Sequence, residues 1–188
     1  MEDKYTTKVK GHMTVEAIKD NIVVDSWEDA NMIMSNARLN MTKIIAGMSG
    51  GNYINKVVIG TEGHVDGDIL TPKAYTETRT ELFSEEADDA YSFHINFENT
   101  TGANGVSTTI TPVPDTYYSG DCTIDIQQLE TDITYVIEVP ESAGNGDGVA
   151  VYTEAALYAD DNIFAMRTFT GKIKDPSTIL RITWKLTF

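Results

Sequence analysis

Few residues of this chain have the type and spacing that a chemical site needs. Its 188 residues include three histidines, His12, His64 and His94, which stand far apart and form no HExxH or similar array. We therefore expect no metal site built on histidine. The one cysteine, Cys122, excludes an internal disulfide bond and lies in CTIDI, whose alternation is typical of a strand. A buried, unreactive thiol is the favoured interpretation.

Two segments have the composition of calcium loops. GHVDGDIL places Asp66 and Asp68 at alternate positions, and SAGNGDGVA does the same with Asn145 and Asp147. Neither segment supplies the glutamate at the twelfth position that an EF-hand requires. We expect a solvated turn at each segment and no bound metal.

Motifs of catalysis and of cofactor binding do not occur in the sequence. GMSGG, residues 47–51, resembles the GxSxG motif of serine hydrolases, but it ends a predicted helix instead of following a strand. GxGxxG and GxxxxGK[ST] are absent from the sequence. Trp27 and Trp184 could stack on sugars, yet both lie on predicted apolar faces, where core packing is favoured. We expect no catalytic residue, no cofactor and no enzymatic activity.

The charge of the chain narrows its choice of partners. It carries 29 acidic and 14 basic residues, for a formal net charge of −15. This charge disfavours binding to nucleic acid and to anionic membranes, and it favours solubility or steers the chain toward a basic partner. The N-terminal residues lack an apolar core and no run reaches about 18 apolar residues, so we expect neither a signal peptide nor a membrane span.

One long helix is predicted among the elements that would position a site, over about residues 27–48. Ser26 would cap its start, Glu28 and Asp29 would lie at the positive end of its dipole, and glycines from Gly47 onward would end it. Its apolar residues recur near helical spacing on one face: Trp27, Ala30, Ile33, Ala37, Met41, Ile44 and Met48.

Strands dominate the rest of the chain. YSFHINF and ILRITWKLTF alternate apolar and polar side chains, and in the second Leu180, Ile182, Trp184, Leu186 and Phe188 share one face. VYTEAALY, ADDN and IFAMRTF predict a hairpin with a tight polar turn. We expect its Glu154 on the polar face, or paired with a base such as Arg167. GHVDGDILTPK is interpreted as a loop and TETRTELF as a short strand.

These patterns predict a mainly-β fold. The expected architecture is an antiparallel β-sandwich with one α-helix in the N-terminal half. We expect a single domain over residues 1–188, with a strand-helix element over about residues 1–60. Loops around residues 61–74 and 98–121 are the candidate surfaces for partner contacts.

Three stretches share a pattern with a known family. NIVVDSWEDANMIMSNARLNMTKIIAG is similar to that family's opening, a helix that follows Asn and two hydrophobic residues and ends in Ala-Gly. YINKVVIGTEG is similar to its strand with a Gly-Thr-Gly turn, which Glu62 interrupts in this chain. TEAALYADDNIFAMRTFTGKIKDPSTILRITWKLTF is similar to its closing hairpin and last strand, with Ala156 and Tyr158 where Gly and Phe are common. The family is that of tailed-bacteriophage virion proteins of the tail-fibre or tail-associated type.

The resemblance implies a structural component of a tailed-phage virion, in the tail, neck or fibre-attachment apparatus. Such a subunit would be assembled in the host cytoplasm and act through contacts with other virion proteins, as a homo-oligomer without nucleic acid or membrane. Capsid decoration or a head fibre is a variant of the same interpretation. The alternative is a carbohydrate-binding module for host-surface glycans, with Tyr117 and Tyr118 as the candidate contacts.

Overall fold

The computed structural model describes residues 9–87, 90–97, 108–110 and 122–188, and of residues 108–110 it describes the backbone. The predicted mainly-β fold is confirmed. The strands are β1 (Lys10–Lys19), β2 (Ile22–Ile33), β3 (Lys56–Gly60), β4 (His64–Val65), β5 (Asp68–Pro72), β6 (Ser92–Asn96), β7 (Thr108–Ile110), β8 (Thr123–Leu129), β9 (Asp132–Val139), β10 (Ala150–Ala159), β11 (Asn162–Lys174) and β12 (Ile179–Thr187). The helices are α1 (Ser35–Ile45) and α2 (Phe83–Glu86).

Ten of these strands form one antiparallel sheet, in the order β6-β3-β10-β11-β2-β1-β12-β9-β8-β7. The sheet curls at β2, so that the half containing β1, β12, β9 and β8 faces the half containing β11, β10, β3 and β6 across one core. The predicted sandwich thus takes the form of a single folded sheet, with β1 and β2 in its middle. β4 and β5 pair with each other as a separate hairpin.

The core lies between the two halves of the sheet. Trp184 of β12 and Met13 of β1 come from one half, while Phe93 of β6 and Leu157 of β10 come from the other, and all are fully buried. The predicted alternation of β12 is confirmed for Leu180, Ile182, Trp184 and Leu186, which are buried. The prediction is wrong for Phe188, which lies beyond the strand and is exposed. Cys122 is buried in the same core, as predicted.

A second layer covers the outer face of the β10 half. Residues 61–87 cross this face, where Gly63 N donates to Thr153 Oγ1 at 2.8 Å and Tyr75 Oη donates to Met166 O at 2.6 Å. A second apolar cluster fills the space below them: Met34, Val58, Leu82, Ala156, Tyr158, Ile163 and Met166. β10 is therefore buried on both faces.

The predicted helix over residues 27–48 is wrong in its first third, because α1 begins at Ser35. Trp27 lies on β2 opposite Val15, and its ring packs 5.6 Å from that of Phe169. Ser26 therefore caps no helix, and Met34 holds the N-cap position without a side-chain hydrogen bond. Cross-strand pairing with β1 continues the strand that IVVD begins through Trp27, and it outweighs the helical spacing of the residues that follow.

The end of α1 agrees with the sequence. The helix stops at Ile45, and Gly47 follows with a φ of +64°, a conformation that favours glycine.

Two shorter segments have a secondary structure that differs from the one predicted. The loop predicted over residues 63–73 contains the β4–β5 hairpin, and the strand predicted over residues 76–83 is a turn that leads into α2.

Candidate functional site

The residues predicted for a glycan or partner contact, Tyr117 and Tyr118, lie outside the described residues, as does most of the segment 98–121. The three histidines are not brought together. His64 Nδ1 lies 3.5 Å from Thr153 Oγ1, and His94 Nε2 lies 3.1 Å from Ser92 Oγ. Within the described part of the chain, no group of three His, Cys, Asp or Glu side chains could hold a metal ion.

The two segments with calcium-loop composition use their side chains in local contacts. Asp68 accepts hydrogen bonds from Thr71 Oγ1 at 2.6 Å and from Leu70 N at 3.0 Å, and these bonds lower the pKa of its carboxyl group. Asp66 lies 3.4 Å from Lys73 Nζ. Asn145 Oδ1 accepts a hydrogen bond from the buried Lys174 Nζ at 2.6 Å. Turn formation and lysine binding account for these oxygens.

Glu154 lies in a place that the sequence did not predict. The expected positions, on a solvated face or beside Arg167, are both wrong, because Glu154 is fully buried and Arg167 pairs with Asp29 on β2. Glu154 is buried because residues 61–87, the second layer, cover the face of β10 that the alternating pattern predicted to be exposed to solvent. The sequence contains no local signal for this covering, which joins segments about 70 residues apart.

The Glu154 carboxylate ties the second layer to the sheet. Its Oε1 accepts from Ser84 N at 2.7 Å and Ser84 Oγ at 2.6 Å, and its Oε2 accepts from Phe83 N at 2.9 Å. Ser84 Oγ in turn accepts from Thr61 N at 2.7 Å. Burial raises the pKa of Glu154, although these donors oppose the shift. All of the bonds join parts of this chain, so the cluster serves the fold.

One pocket of about 440 Å³ gathers hydroxyl, imidazole and carboxylate groups, and includes Ser92, His94 and Glu85. A catalytic triad needs the serine on one imidazole nitrogen and the carboxylate on the other. In this pocket Ser92 Oγ and Glu85 Oε1 both approach Nε2, at 3.1 Å and 3.8 Å. Glu85 also accepts hydrogen bonds from Tyr158 Oη and from Leu82 N. The cluster therefore lacks the geometry of a triad.

A different kind of site lies beside α1. An apolar groove of about 390 Å³ runs between α1 and the end of β12, and Ile44, Ile45, Tyr53 and Phe188 are among the side chains that line it. Ile45 is 87% exposed, so its side chain projects from the rim of the groove. The predicted buried face of the helix is thus only partly right: Ala37 is buried, while Ile44 and Met48, just beyond the helix, are exposed.

We call this surface the α1 patch. Its exposed apolar residues are Leu39, Ile44, Ile45, Met48 and Tyr53. Residues 34–53, which contain all of them, include Arg38 and Lys43 and no acidic residue. Arg38 lies 3.5 Å from Glu77, and Lys43 makes no ion pair with any described residue. The residues of the patch are therefore apolar and basic in a chain that is acidic as a whole, and Glu77 of the second layer lies at its edge against Arg38.

A second group of exposed apolar residues lies where the β1–β2 and β4–β5 hairpins turn. We call it the hairpin patch, and its apolar residues are Ile22, Val23, Val24, Val65, Ile69 and Leu70. The two hairpins contact β11 from its two faces: Asp25 of β2 pairs with Lys172 Nζ at 2.8 Å on one face, and a Cβ on the adjacent Gly171 would lie 3.2 Å from Ile69 Cβ on the other. The predicted contact loop over residues 61–74 thus supplies half of this patch.

Comparison of the chain with protein-family models, with curated proteins and with solved structures finds no match. In the part of the chain that the structure describes, no helix has the length and apolar character needed to cross a membrane.

Proposed function

We propose that this chain is a structural subunit of a tailed-phage virion, in the tail, neck or fibre-attachment apparatus, and that it acts by protein–protein assembly. The observation that carries the proposal is the gathering of exposed apolar side chains into the α1 patch and the hairpin patch. Single exposed apolar residues are ordinary on protein surfaces, whereas clusters of them mark contact sites. The clusters here include Ile45 at 87%, Leu70 at 66% and Ile22 at 65% exposure.

The positions of the family-like stretches also support the proposal. The first of them forms β2 and α1, the second contains β3, and the third contains most of β10 and all of β11 and β12. They therefore supply five of the ten strands of the sheet together with the α1 patch apart from Met48 and the β1–β2 side of the hairpin patch. In this proposal the curled sheet is the rigid body and the two patches are its contacts with other virion proteins.

The test is the protein content of particles purified from the phage or prophage that carries the gene. We expect the chain to remain in a constant ratio to the major tail or capsid protein through successive density gradients, as measured by quantitative mass spectrometry. Separated heads and tails would then distinguish the tail apparatus from capsid decoration or a head fibre. A phage replication protein serves as the control, and loss of the chain together with that control would overturn the proposal.

A further inference from the structure

Strand β2 has one long side on which no other strand pairs with it among the described residues. β1 pairs with residues 22–31 on the opposite side of β2, whereas β11 pairs with residues 32–33 alone. The ladder with β1 shifts register near Val24 and is regular over residues 25–31. Residues 25–30, which we call the β2 edge, are therefore a straight stretch of strand whose other side has no neighbouring strand.

β11 contacts this part of β2 through side chains and not through the backbone. The ring of Trp27 packs on that of Phe169, with 5.6 Å between the ring centroids. Asp25 and Asp29, two residues to either side of Trp27, form ion pairs with bases of β11. Residues two apart on a strand share a face, so these contacts join the inner faces of the two halves of the sheet, as in a sandwich. They leave the backbone of the β2 edge unpaired.

One amide shows which main-chain groups face away from β1. Ala30 N donates to Oδ1 of the neighbouring Asp29 at 2.6 Å, on the open side of the strand. In an antiparallel ladder, alternate residues direct their N–H and C=O groups to the same side. The groups of Ser26 and Glu28 therefore point to the open side as well, whereas those of Trp27 bond with β1. Ser26 and Glu28 present the donors and acceptors that a further strand requires.

The charge of this part of β2 selects the strand that it accepts. Residues 20–30 contain four acids and no lysine or arginine: Asp20, Asp25, Glu28 and Asp29. Asp25 and Asp29 are paired with β11, while Asp20 and Glu28 make no ion pair with any described residue. Two β2 edges side by side would place acids opposite acids, which opposes pairing of this edge with itself. A basic strand is instead attracted by these acids and by the net charge of −15.

We propose that the β2 edge is a docking site for an extended, basic segment of a partner protein, which joins the sheet as a further strand beside β2. The inference rests on the assembly role proposed above and names the kind of partner that one surface takes. Main-chain hydrogen bonds with Ser26 and Glu28 hold the segment, and its lysine or arginine side chains pair with Glu28. Val23 and Val24, which are exposed at 45% and 55%, offer apolar contacts at one end of the edge.

The first measurement is amide hydrogen exchange of the free chain, followed by NMR. We expect the amides of Ser26 and Glu28 to exchange at least tenfold faster than the amide of Trp27, which bonds with β1. Equal protection of all three amides would mean that the β2 edge is already paired, and would overturn the proposal.

The second measurement is the titration of the full chain with a capped peptide of about nine residues in which lysine alternates with valine. Binding should slow exchange at the amides of Ser26 and Glu28. A matched peptide with glutamate in place of lysine should bind at least tenfold more weakly. The proposal is overturned if the lysine peptide does not bind up to about 1 mM, or if it binds without slowing exchange at these two amides.

Two variants separate the backbone of the edge from its charge. Ser26→Pro removes an N–H on the open side and keeps the side of β2 that pairs with β1. Glu28→Lys reverses the unpaired charge and remains informative if the proline variant does not fold. Each should weaken binding of the lysine peptide at least tenfold, and Glu28→Lys should bind the glutamate peptide more tightly than the wild type does. Glu81→Lys, at an exposed acid outside β2, is the matched charge control and should bind as the wild type does.

Unchanged binding of the lysine peptide by Glu28→Lys would place the peptide elsewhere on the molecule and contradict the proposal. The virion-content experiment is independent of these measurements. A chain that remains in particles at a fixed ratio while its β2 edge takes no basic strand would refute this inference and leave the proposed function standing. A chain that binds the peptide at the β2 edge and is lost from the particles would do the reverse.

Discussion

Strands β12 and β10 lie in opposite halves of the same sheet and are buried in different ways. β12 alternates: Ile182, Trp184 and Leu186 lie in the core, and the residues between them lie on the outer face. β10 is buried along almost its whole length, because residues 61–87 cover its second face. A one-sided strand shows its orientation in its sequence as an alternation, whereas a two-sided strand reads as a nearly continuous apolar run such as AALYA.

The polar groups of the two strands differ accordingly. Arg181 and Lys185 of β12 form ion pairs at the surface, with Glu138 at 2.6 Å and Asp132 at 2.5 Å. Such exposed pairs contribute little, typically about 0–1 kcal/mol. Glu154 of β10 instead accepts hydrogen bonds from three donors and is buried. Removal of such an acceptor is costly because the donors remain buried. The covered strand is therefore the one whose polar residue matters for stability.

The largest effect is expected at the core face of β12. Trp184→Ala removes a fully buried indole and leaves a cavity, so we expect the free energy of unfolding to fall by about 4 kcal/mol. Thr183→Ala, the next residue on the outer face, should change it by less than about 0.5 kcal/mol. Urea unfolding of both variants measures the contrast. Similar losses in the two variants would mean that β12 is covered on both faces.

The next largest effect is expected at Glu154. Glu154→Ala leaves Phe83 N, Ser84 N and Ser84 Oγ without their acceptor, and should lower the free energy of unfolding by about 3 kcal/mol. Glu154→Gln keeps one acceptor oxygen and should cost about half as much. Hydrogen exchange should show the greatest loss of protection at the amides of Phe83 and Ser84. Equal loss at the amide of Trp184 would contradict a local role for Glu154.

The comparison also explains how far the sequence predicts the fold. Alternation placed Leu180, Ile182 and Trp184 in the core correctly, because a one-sided strand encodes its burial in its own residues. It failed at Glu154, because the covering segment lies about 70 residues earlier in the chain and leaves no mark in the local pattern. The first third of the predicted helix failed for a related reason, since pairing with β1 decides the conformation of Trp27.

The candidate contact surfaces were predicted less well. The segment 61–74 supplies Val65, Ile69 and Leu70 to the hairpin patch, but sequence alone pointed to it as a loop and not as a hairpin. The α1 patch was missed, because Ile44 and Met48 were assigned to the buried face of a longer helix. A signal was present in the sequence, since residues 34–53 hold apolar residues on more than one helical face and no acid.

A smaller effect is expected from a hydroxyl at the covered face of β10. Tyr158 Oη donates to Glu85 Oε2 between the sheet and α2, and burial raises the pKa of this hydroxyl. Tyr158→Phe keeps the ring and loses this bond to a charged acceptor, so we expect a loss of about 1.5 kcal/mol in the free energy of unfolding. Tyr53→Phe, on the exposed α1 patch, is the control and should lie within about 0.5 kcal/mol of the wild type. Equal effects of the two variants would contradict the burial of the Tyr158 hydroxyl under the second layer.

The smallest effect extends the comparison to two lysines. Lys185 of β12 is half-exposed and ion-paired, whereas Lys174 of β11 is fully buried, with Nζ donating to Asn145 Oδ1 at 2.6 Å. Burial lowers the pKa of Lys174 from 10.5 to about 8, although the charge of the neighbouring Asp175 opposes the shift.

Lys174 should make stability depend on pH above about 8. Between the lowered pKa and 10.5 the unfolded chain still holds a proton that the folded chain has released, so the free energy of unfolding should rise with pH in this window. Lys174→Met keeps most of the buried side chain and removes the titrating group, and should flatten the rise. Urea midpoints at successive pH values measure both slopes. If the variant retains the slope of the wild type, another group produces it, and Lys174 keeps its proton in the folded chain through this pH range.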